Sequence, residues 1–194
     1  MKNKGNNIRF AFCVTFFVGW LRNTTFVNFL DMNKLPKKYR NTLQAIGIYQ
    51  LLGGGIGFIF LIVAMATSDG FSQPHLITLS IGLVLFVFTS ICGAQLLFFN
   101  SNLLLTKINQ WLQVFGIWAG PFAFKYAGGI NLSFRIFFDD TTVKVMTEVT
   151  SITFSYFGEH VGFSVDFTAL FVLHTVTKLS DRIKEYKLLR DYSD

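Results

Sequence analysis

Five titratable side chains are grouped between positions 148 and 174 of the sequence: Glu148, Glu159, His160, Asp166 and His174. Glu159 and His160 are neighbours and form a candidate pH-sensitive pair, because a histidine changes its charge near neutral pH. A hydrated turn is the more common role of such a pair. The spacing of the group matches no metal-binding motif, since a metal site needs three or more converging ligands. We therefore predict no metal centre and no cofactor.

No nucleophile can be paired with a general base from the sequence. Cys13 has no histidine near it, and Cys92 lies in a long apolar stretch, where a thiol packs as a small hydrophobic group. The glycine run at 53–57 lacks the spacing of a phosphate-binding loop. These observations predict a protein that is not an enzyme, with a lipid-modifying enzyme kept as a minor alternative.

Small and polar residues inside apolar stretches are candidates for helix contacts. Gly53 and Gly57 have the G-x-x-x-G spacing that lets two helix backbones approach closely, within one subunit or between two. Gln50, Ser90 and Gln95 are polar residues in otherwise apolar segments. They either form hydrogen bonds between helices, which is the more common role, or line a pore.

The composition indicates an integral membrane protein. Hydrophobic residues make up 52% of the 194 residues and charged residues only 14%, whereas soluble domains carry about 25% charged residues. No charge occurs in residues 41–68 or 70–106. A helix needs about 20 apolar residues to cross the bilayer, so we predict spans at 43–66 and 76–99.

Two further segments, 108–124 and 161–177, are apolar enough for short spans. With them, the predicted fold class is mainly α: a polytopic helical membrane protein with about four transmembrane helices, an N-terminal interfacial amphipathic helix at 10–21 and a small β-hairpin region. The β prediction rests on residues 131–167, where apolar and polar residues alternate with period two. The last alternating stretch, 161–167, overlaps the fourth predicted span.

Positive charge is concentrated at the start of the chain, where the first 40 residues hold eight bases and one acid. Basic residues beside a span mark the cytoplasmic side and attract anionic lipid. We therefore assign lipid headgroups, not nucleic acid, as the partners of the densest cluster, which consists of Lys34, Lys37, Lys38 and Arg40.

These features divide the chain into four segments. Residues 1–40 form a basic cytoplasmic or interfacial segment, and 41–124 form a transmembrane helical region. Residues 125–160 form the β-hairpin region, predicted to lie outside the cytoplasm. Residues 161–194 form the last span and a cytoplasmic helical tail, in which 178–194 is a candidate surface for a cytoplasmic protein partner. The prediction is a multi-pass protein of the cell inner membrane with both termini in the cytoplasm.

Two functions remain open from the sequence. The first is a non-enzymatic, homo-oligomeric membrane sensor or pore-forming component, because an open sheet edge in lipid would require partner strands. The alternative is a two-span membrane-anchored effector with a cytoplasmic, β-containing module that senses a ligand or a partner, as in bacterial defence or toxin systems.

Overall fold

The computed structural model of the protein describes residues 35–67, 73–98, 103–120, 122–155 and 160–191. The predicted interfacial helix at 10–21 lies outside these residues. Four helices and four strands follow one another along the chain: α1 (Lys37–Thr67), α2 (Gln73–Phe98), α3 (Leu103–Val114), β1 (Phe115–Ala119), β2 (Phe122–Phe137), β3 (Thr142–Ser155), β4 (Val161–Asp166) and α4 (Phe167–Asp191).

Two of the described helices are long and apolar enough to cross a membrane, as judged by length and composition. They cover Lys37–Thr67 and Leu76–Phe98, with mean hydropathies of 2.0 and 2.3. Much of their surface is exposed and apolar, including Ile59 and Val84. This finding is consistent with membrane association of the protein.

The prediction of a mainly α fold with about four spans is wrong. Residues 108–124 run from the end of α3 through β1 into β2, and 161–177 comprise β4 and the start of α4. The β part is also larger than a hairpin region, because all four strands join one antiparallel sheet. The apolar residues of 108–124 belong to a 12-residue helix and two strands, and those of 161–177 are divided between β4 and the start of α4.

The sheet closes on itself around β1, β2 and β4. β1 pairs with the first part of β2 and, along its whole length, with β4. β4 pairs in turn with the last part of β2, from Ser133 to Phe137. β3 pairs with β2 on the other side and has no second strand neighbour among the described strands. The closure gives the sheet an enclosed inner face and an outer face.

A bulge in β2 brings the sheet against the middle of α1. Gly128 and Gly129 lie opposite the single residue Thr150 of β3, which adopts a positive φ of 51°. The Thr150 hydroxyl donates a hydrogen bond to the carbonyl oxygen of Gly53, and a Cβ at Gly53 would collide with the Gly128 backbone. Helix and sheet therefore touch backbone to backbone.

α2 also packs against β2 and β3. The Thr78 hydroxyl donates to the Phe154 carbonyl oxygen at 2.9 Å, and the Tyr126 hydroxyl donates to the Leu85 carbonyl oxygen, also at 2.9 Å. The Phe86 and Tyr126 rings pack at a centroid distance of 5.4 Å. The sheet therefore runs alongside the middle of α1 and alongside α2 from Thr78 to Phe86, and it does not extend from the ends of the two helices.

The polarity of the sheet is inverted relative to a soluble sheet. Its inner face buries Lys125, Ser133 and Ser164, whereas its outer face exposes apolar side chains. α3 has the same inversion, because it buries Thr106, Asn109, Gln110 and Gln113 at helical spacing. The exposed apolar residues of α3 and the outer face include Leu104, Ile108, Trp111, Ile117, Ile130, Val143, Val145, Val149 and Phe163.

The contact between α1 and the bulge predicts opposite effects of two neighbouring substitutions. Gly53→Ala introduces a Cβ into the Gly128 backbone, and we expect it to destabilise the protein by about 1–3 kcal/mol. Gly55→Ala is the matched control, because nothing lies within 4 Å of a Cβ at that position. It should stabilise the helix by up to about 1 kcal/mol. Thermal unfolding in detergent measures both, and equal effects would contradict the contact.

Candidate functional site: the polar inner face of the sheet

Three charged side chains meet on the inner face. The Lys125 Nζ atom lies 2.6 Å from Glu148 Oε2, and the Arg135 guanidinium pairs with Glu148 Oε1. Lys125 also donates to the Ser133 hydroxyl at 3.1 Å, and the Ser151 hydroxyl donates to Glu148 at 2.7 Å. The side chain of Lys125 is only 2% exposed. One carboxylate therefore pairs with two cations, which leaves a net charge of +1 on a group whose lysine is buried and whose other two members are half-buried.

The backbone explains why these residues meet. In β2, Lys125 and Arg135 both point inward, on either side of the bulge at Gly128 and Gly129. Opposite residues of an antiparallel pair share a face. Glu148 lies opposite Asn131, which also faces inward. Gly116 leaves room for this group, because a Cβ there would press against Lys125 and Ser164.

The pKa shifts of Lys125 and Glu148 show the effects of burial and of the contact between the two side chains. Burial lowers the pKa of Lys125, although the hydrogen bond to Glu148 opposes this effect. Burial by itself raises the pKa of Glu148. Hydrogen bonds from Lys125 and Ser151 and the charges of Lys125 and Arg135 outweigh it, so the pKa lies below its ordinary value. Glu148 is therefore stabilised in its charged form by its partners.

Asp166 is the second buried acid. It ends β4, and its Oδ1 atom accepts a hydrogen bond from the Ala169 N–H at 3.0 Å, which caps the start of α4. Its Oδ2 atom is buried and makes no hydrogen bond of good geometry in the described part of the chain, although the side chain of Asn131 is close enough to lower the pKa of Asp166. Burial raises the pKa of Asp166, so the protonated form is favoured relative to a free aspartate.

A polar network connects the inner elements of the fold. The Thr89 hydroxyl of α2 donates to Asn109 Oδ1 of α3 at 2.9 Å and also contacts the Tyr126 hydroxyl of β2. Gln113 of α3 accepts a hydrogen bond from the Gly128 N–H at 3.0 Å. These bonds satisfy polar groups that would otherwise face an apolar interior, where each unsatisfied group is costly.

The polar residues predicted in the apolar segments differ in their placement. Gln50 is completely buried in α1, and neither polar atom of its side-chain amide has a partner among the described residues. The Oε1 atom of Gln95 is also buried without a hydrogen-bond partner among the described residues. Ser90 is half-buried, at a point where a Cβ on Gly54 would meet its hydroxyl. Gln50 in particular faces protein, not the exposed surface of its helix.

The predicted helix-packing glycines also lie at contacts. Gly53 meets the Gly128 backbone, and a Cβ at Gly57 would collide with Phe86 of α2 and Thr150 of β3. The spacing thus brings one face of α1 close to both α2 and the sheet within a single chain.

The predicted pair Glu159–His160 is described only in part. Glu159 lies outside the described residues, and His160 pairs with Asp139, whose Oδ2 atom is 2.5 Å from Nδ1. This hydrogen bond raises the pKa of His160 and lowers that of Asp139. Asp140 is near enough for the three side chains to offer ligand atoms within 4.8 Å of one another. All three are exposed, and the ion pair accounts for their proximity.

The predicted lipid-headgroup residues lie at the start of α1. Lys37, Lys38 and Arg40 occupy its first turn, and Lys34 lies outside the described residues.

The triad of Lys125, Arg135 and Glu148, by contrast, was not predicted as a site. Arg135 is one of the polar residues in the period-two pattern, but the pattern does not reveal which face is buried.

Comparisons with family models, with curated proteins and with solved structures found no match. The functional interpretation therefore rests on the geometry of the molecule. Its central feature is a buried, charged inner face inside an apolar outer surface.

The triad predicts a strong dependence of stability on one carboxylate. Glu148→Gln removes the carboxylate that pairs with both Lys125 and Arg135, and we expect a loss of about 3–5 kcal/mol. Glu185→Gln is the control, because it removes only an exposed pair with Arg182 at 3.6 Å, which contributes less than about 1 kcal/mol. Unfolding in detergent measures the difference.

The same pair of variants gives a pH test. The pKa of Glu148 lies below the ordinary value of 4.5 in the folded state. The stabilisation is therefore fully present above that value and is lost as the pH falls through the lowered pKa. Glu148→Gln should flatten this acid dependence, and an unchanged pH profile would contradict the role of the triad.

Proposed function

We propose that this protein is a non-enzymatic membrane component that assembles with copies of itself and forms a polar pathway in the bilayer. The observation that carries the proposal is the inverted polarity of the sheet and α3. Polar-in and apolar-out is the arrangement of strands that contact lipid on one side and a polar interior on the other. Charged side chains at such depth are functional by default, because an idle charge there is expensive.

The position of the sheet supports this proposal over a separate cytoplasmic module. Tyr49, near the middle of α1, donates to the Ile130 carbonyl oxygen at 3.0 Å, and Thr78 of α2 reaches Phe154. If α1 and α2 cross the bilayer, the part of the sheet that contains Ile130 and Phe154 lies within the bilayer beside them. A water-exposed sensing module would also expose polar residues, whereas Val145 on the outer face is 68% exposed.

The part of β3 from Thr142 to Val149 pairs with no second strand among the described residues, and this edge supports the homo-oligomer. Unpaired backbone groups in hydrocarbon cost several kcal/mol each, so an edge there requires a partner strand. A second copy offers an identical edge, and a two-fold axis would pair the two β3 strands antiparallel. With the axis at Met146, Lys144 lies opposite the partner subunit's Glu148. Val143 lies opposite the partner subunit's Val149 in the same register.

The charge pattern selects this register over its neighbour. An axis at Lys144 would place two lysines directly opposite each other, which is destabilising. In the Met146 register, the charged pair adds to the inner face and the valine pair adds to the outer face. The inner faces of two copies then form one continuous polar surface.

Cross-linking tests the register. In a background with Cys13→Ser and Cys92→Ala, we expect Met146→Cys to form a disulfide dimer in membranes under mild oxidation. Thr142→Cys is the matched control on the same strand, since its two copies would lie about 27 Å apart at about 3.4 Å per residue. A disulfide needs Cα atoms within about 7 Å. Equal cross-linking of both variants, or none, would contradict this pairing.

Ion flux in proteoliposomes tests the polar pathway. We expect conductance above that of protein-free liposomes, with chloride carried better than potassium, because two cations face one carboxylate on the inner face. Arg135→Gln should reduce the chloride preference. Lys184→Gln, at an exposed position of α4, should not change it. No flux above the protein-free control, from protein shown to be folded and inserted, would overturn the proposal.

A further inference from the structure

A basic groove lies between the first turn of α1 and the middle of α4. It has a volume of ≈ 600 Å³ and is lined by residues of both helices. The described residues that line it include no carboxylate. Its basic side chains are Lys38, His174, Lys178 and Arg182, and Leu179 is its apolar member.

The arrangement of the basic side chains is set by helix geometry. His174, Lys178 and Arg182 follow one another at intervals of four residues, so they share one face of α4. Lys38 faces them from the start of α1. The buried side chain of Leu179 belongs to the apolar cluster that holds the two helices together. Three permanent positive charges therefore converge from two helices on one open space.

None of the described residues that line the groove carries a negative charge that would neutralise it. Arg182 does contact Glu185, at 3.6 Å between exposed side chains, but Glu185 does not line the groove. The first turn of α1 carries three bases and no acid. Positive charge at the start of a helix adds unfavourably to the helix dipole. An anion in the groove would relieve both repulsions at once.

The groove also lies where an apolar span begins. α1 is free of charge from Asn41 to its end at Thr67, so its first turn corresponds to the depth of the lipid headgroups if the helix crosses a bilayer. We propose that this groove binds the phosphate of an anionic phospholipid headgroup. The site is separate from the inner face of the sheet and does not depend on the proposed pathway.

Titration of detergent-solubilised, full-length protein with short-chain lipids tests the proposal. Dioctanoyl phosphatidylglycerol should bind saturably and raise the melting temperature, whereas dioctanoyl phosphatidylcholine should do so much less. Each basic residue near an anionic lipid contributes about a fivefold factor in affinity. The double variant Lys178→Gln/Arg182→Gln should therefore weaken phosphatidylglycerol binding about 25-fold.

Lys184→Gln is the matched control, because it removes a positive charge from α4 at a residue that does not line the groove. The affinity of this variant for phosphatidylglycerol should stay within twofold of that of the unmodified protein. Equal binding of the two lipids, or equal weakening by the control, would overturn the proposal. Inorganic phosphate that protects as well as phosphatidylglycerol at equal concentration would overturn the lipid assignment and identify a soluble phosphate ligand. Circular dichroism of the double variant verifies that it is folded.

Discussion

The buried ion pair between Lys125 and Glu148 is the interaction on which the sheet depends. A charged group removed from water must be paired and hydrogen-bonded inside the protein, or it destabilises the fold. Arg135, Ser133 and Ser151 complete that pairing, and they come from β2 and β3. The closure of β1, β2 and β4 then encloses the group, so that the outer face can be apolar.

The contact between the sheet and the helices also depends on hydrogen bonds between buried polar groups. β2 can reach α1 only because Gly53 and Gly128 bring two backbones together, and the positive φ of Thr150 turns its hydroxyl toward the helix. The network of Thr89, Asn109 and Tyr126 fixes α2 and α3 against the same strand. These polar contacts lie inside, although the amide of Gln50 and Oδ2 of Asp166 are buried and make no hydrogen bond of good geometry among the described residues. Much of the surface of the helices and the sheet is apolar.

The sequence predicted the two long helices because their property is local. A charge-free run of more than 20 residues is sufficient to recognise α1 and α2. A looser criterion, an apolar stretch of 17 residues, failed at 108–124 and 161–177. An outward-facing apolar set, such as Ile108, Ile117 and Phe163, raises the mean hydropathy of a short helix or strand as effectively as that of a span.

The site was harder to predict than the helices. Period-two alternation identified strand character over 131–167, including Arg135, but alternation is symmetric and does not state which face is enclosed. Lys125 lies outside that alternating stretch, and its burial results from pairings between residues far apart in the chain, such as Ile117 with Phe124 and Phe115 with Val165. Long-range closure of this kind leaves no local signal.

The environment of the outer face tests the central claim most directly. A spin label at Val145, in lipid vesicles, reports its collisions with oxygen, which concentrates in hydrocarbon, and with a water-soluble nickel complex. The inverted, membrane-embedded sheet predicts frequent collisions with oxygen and few with nickel at Val145, and the opposite at Lys184. Frequent nickel collisions at Val145 would show that the outer face is in water and would contradict the account.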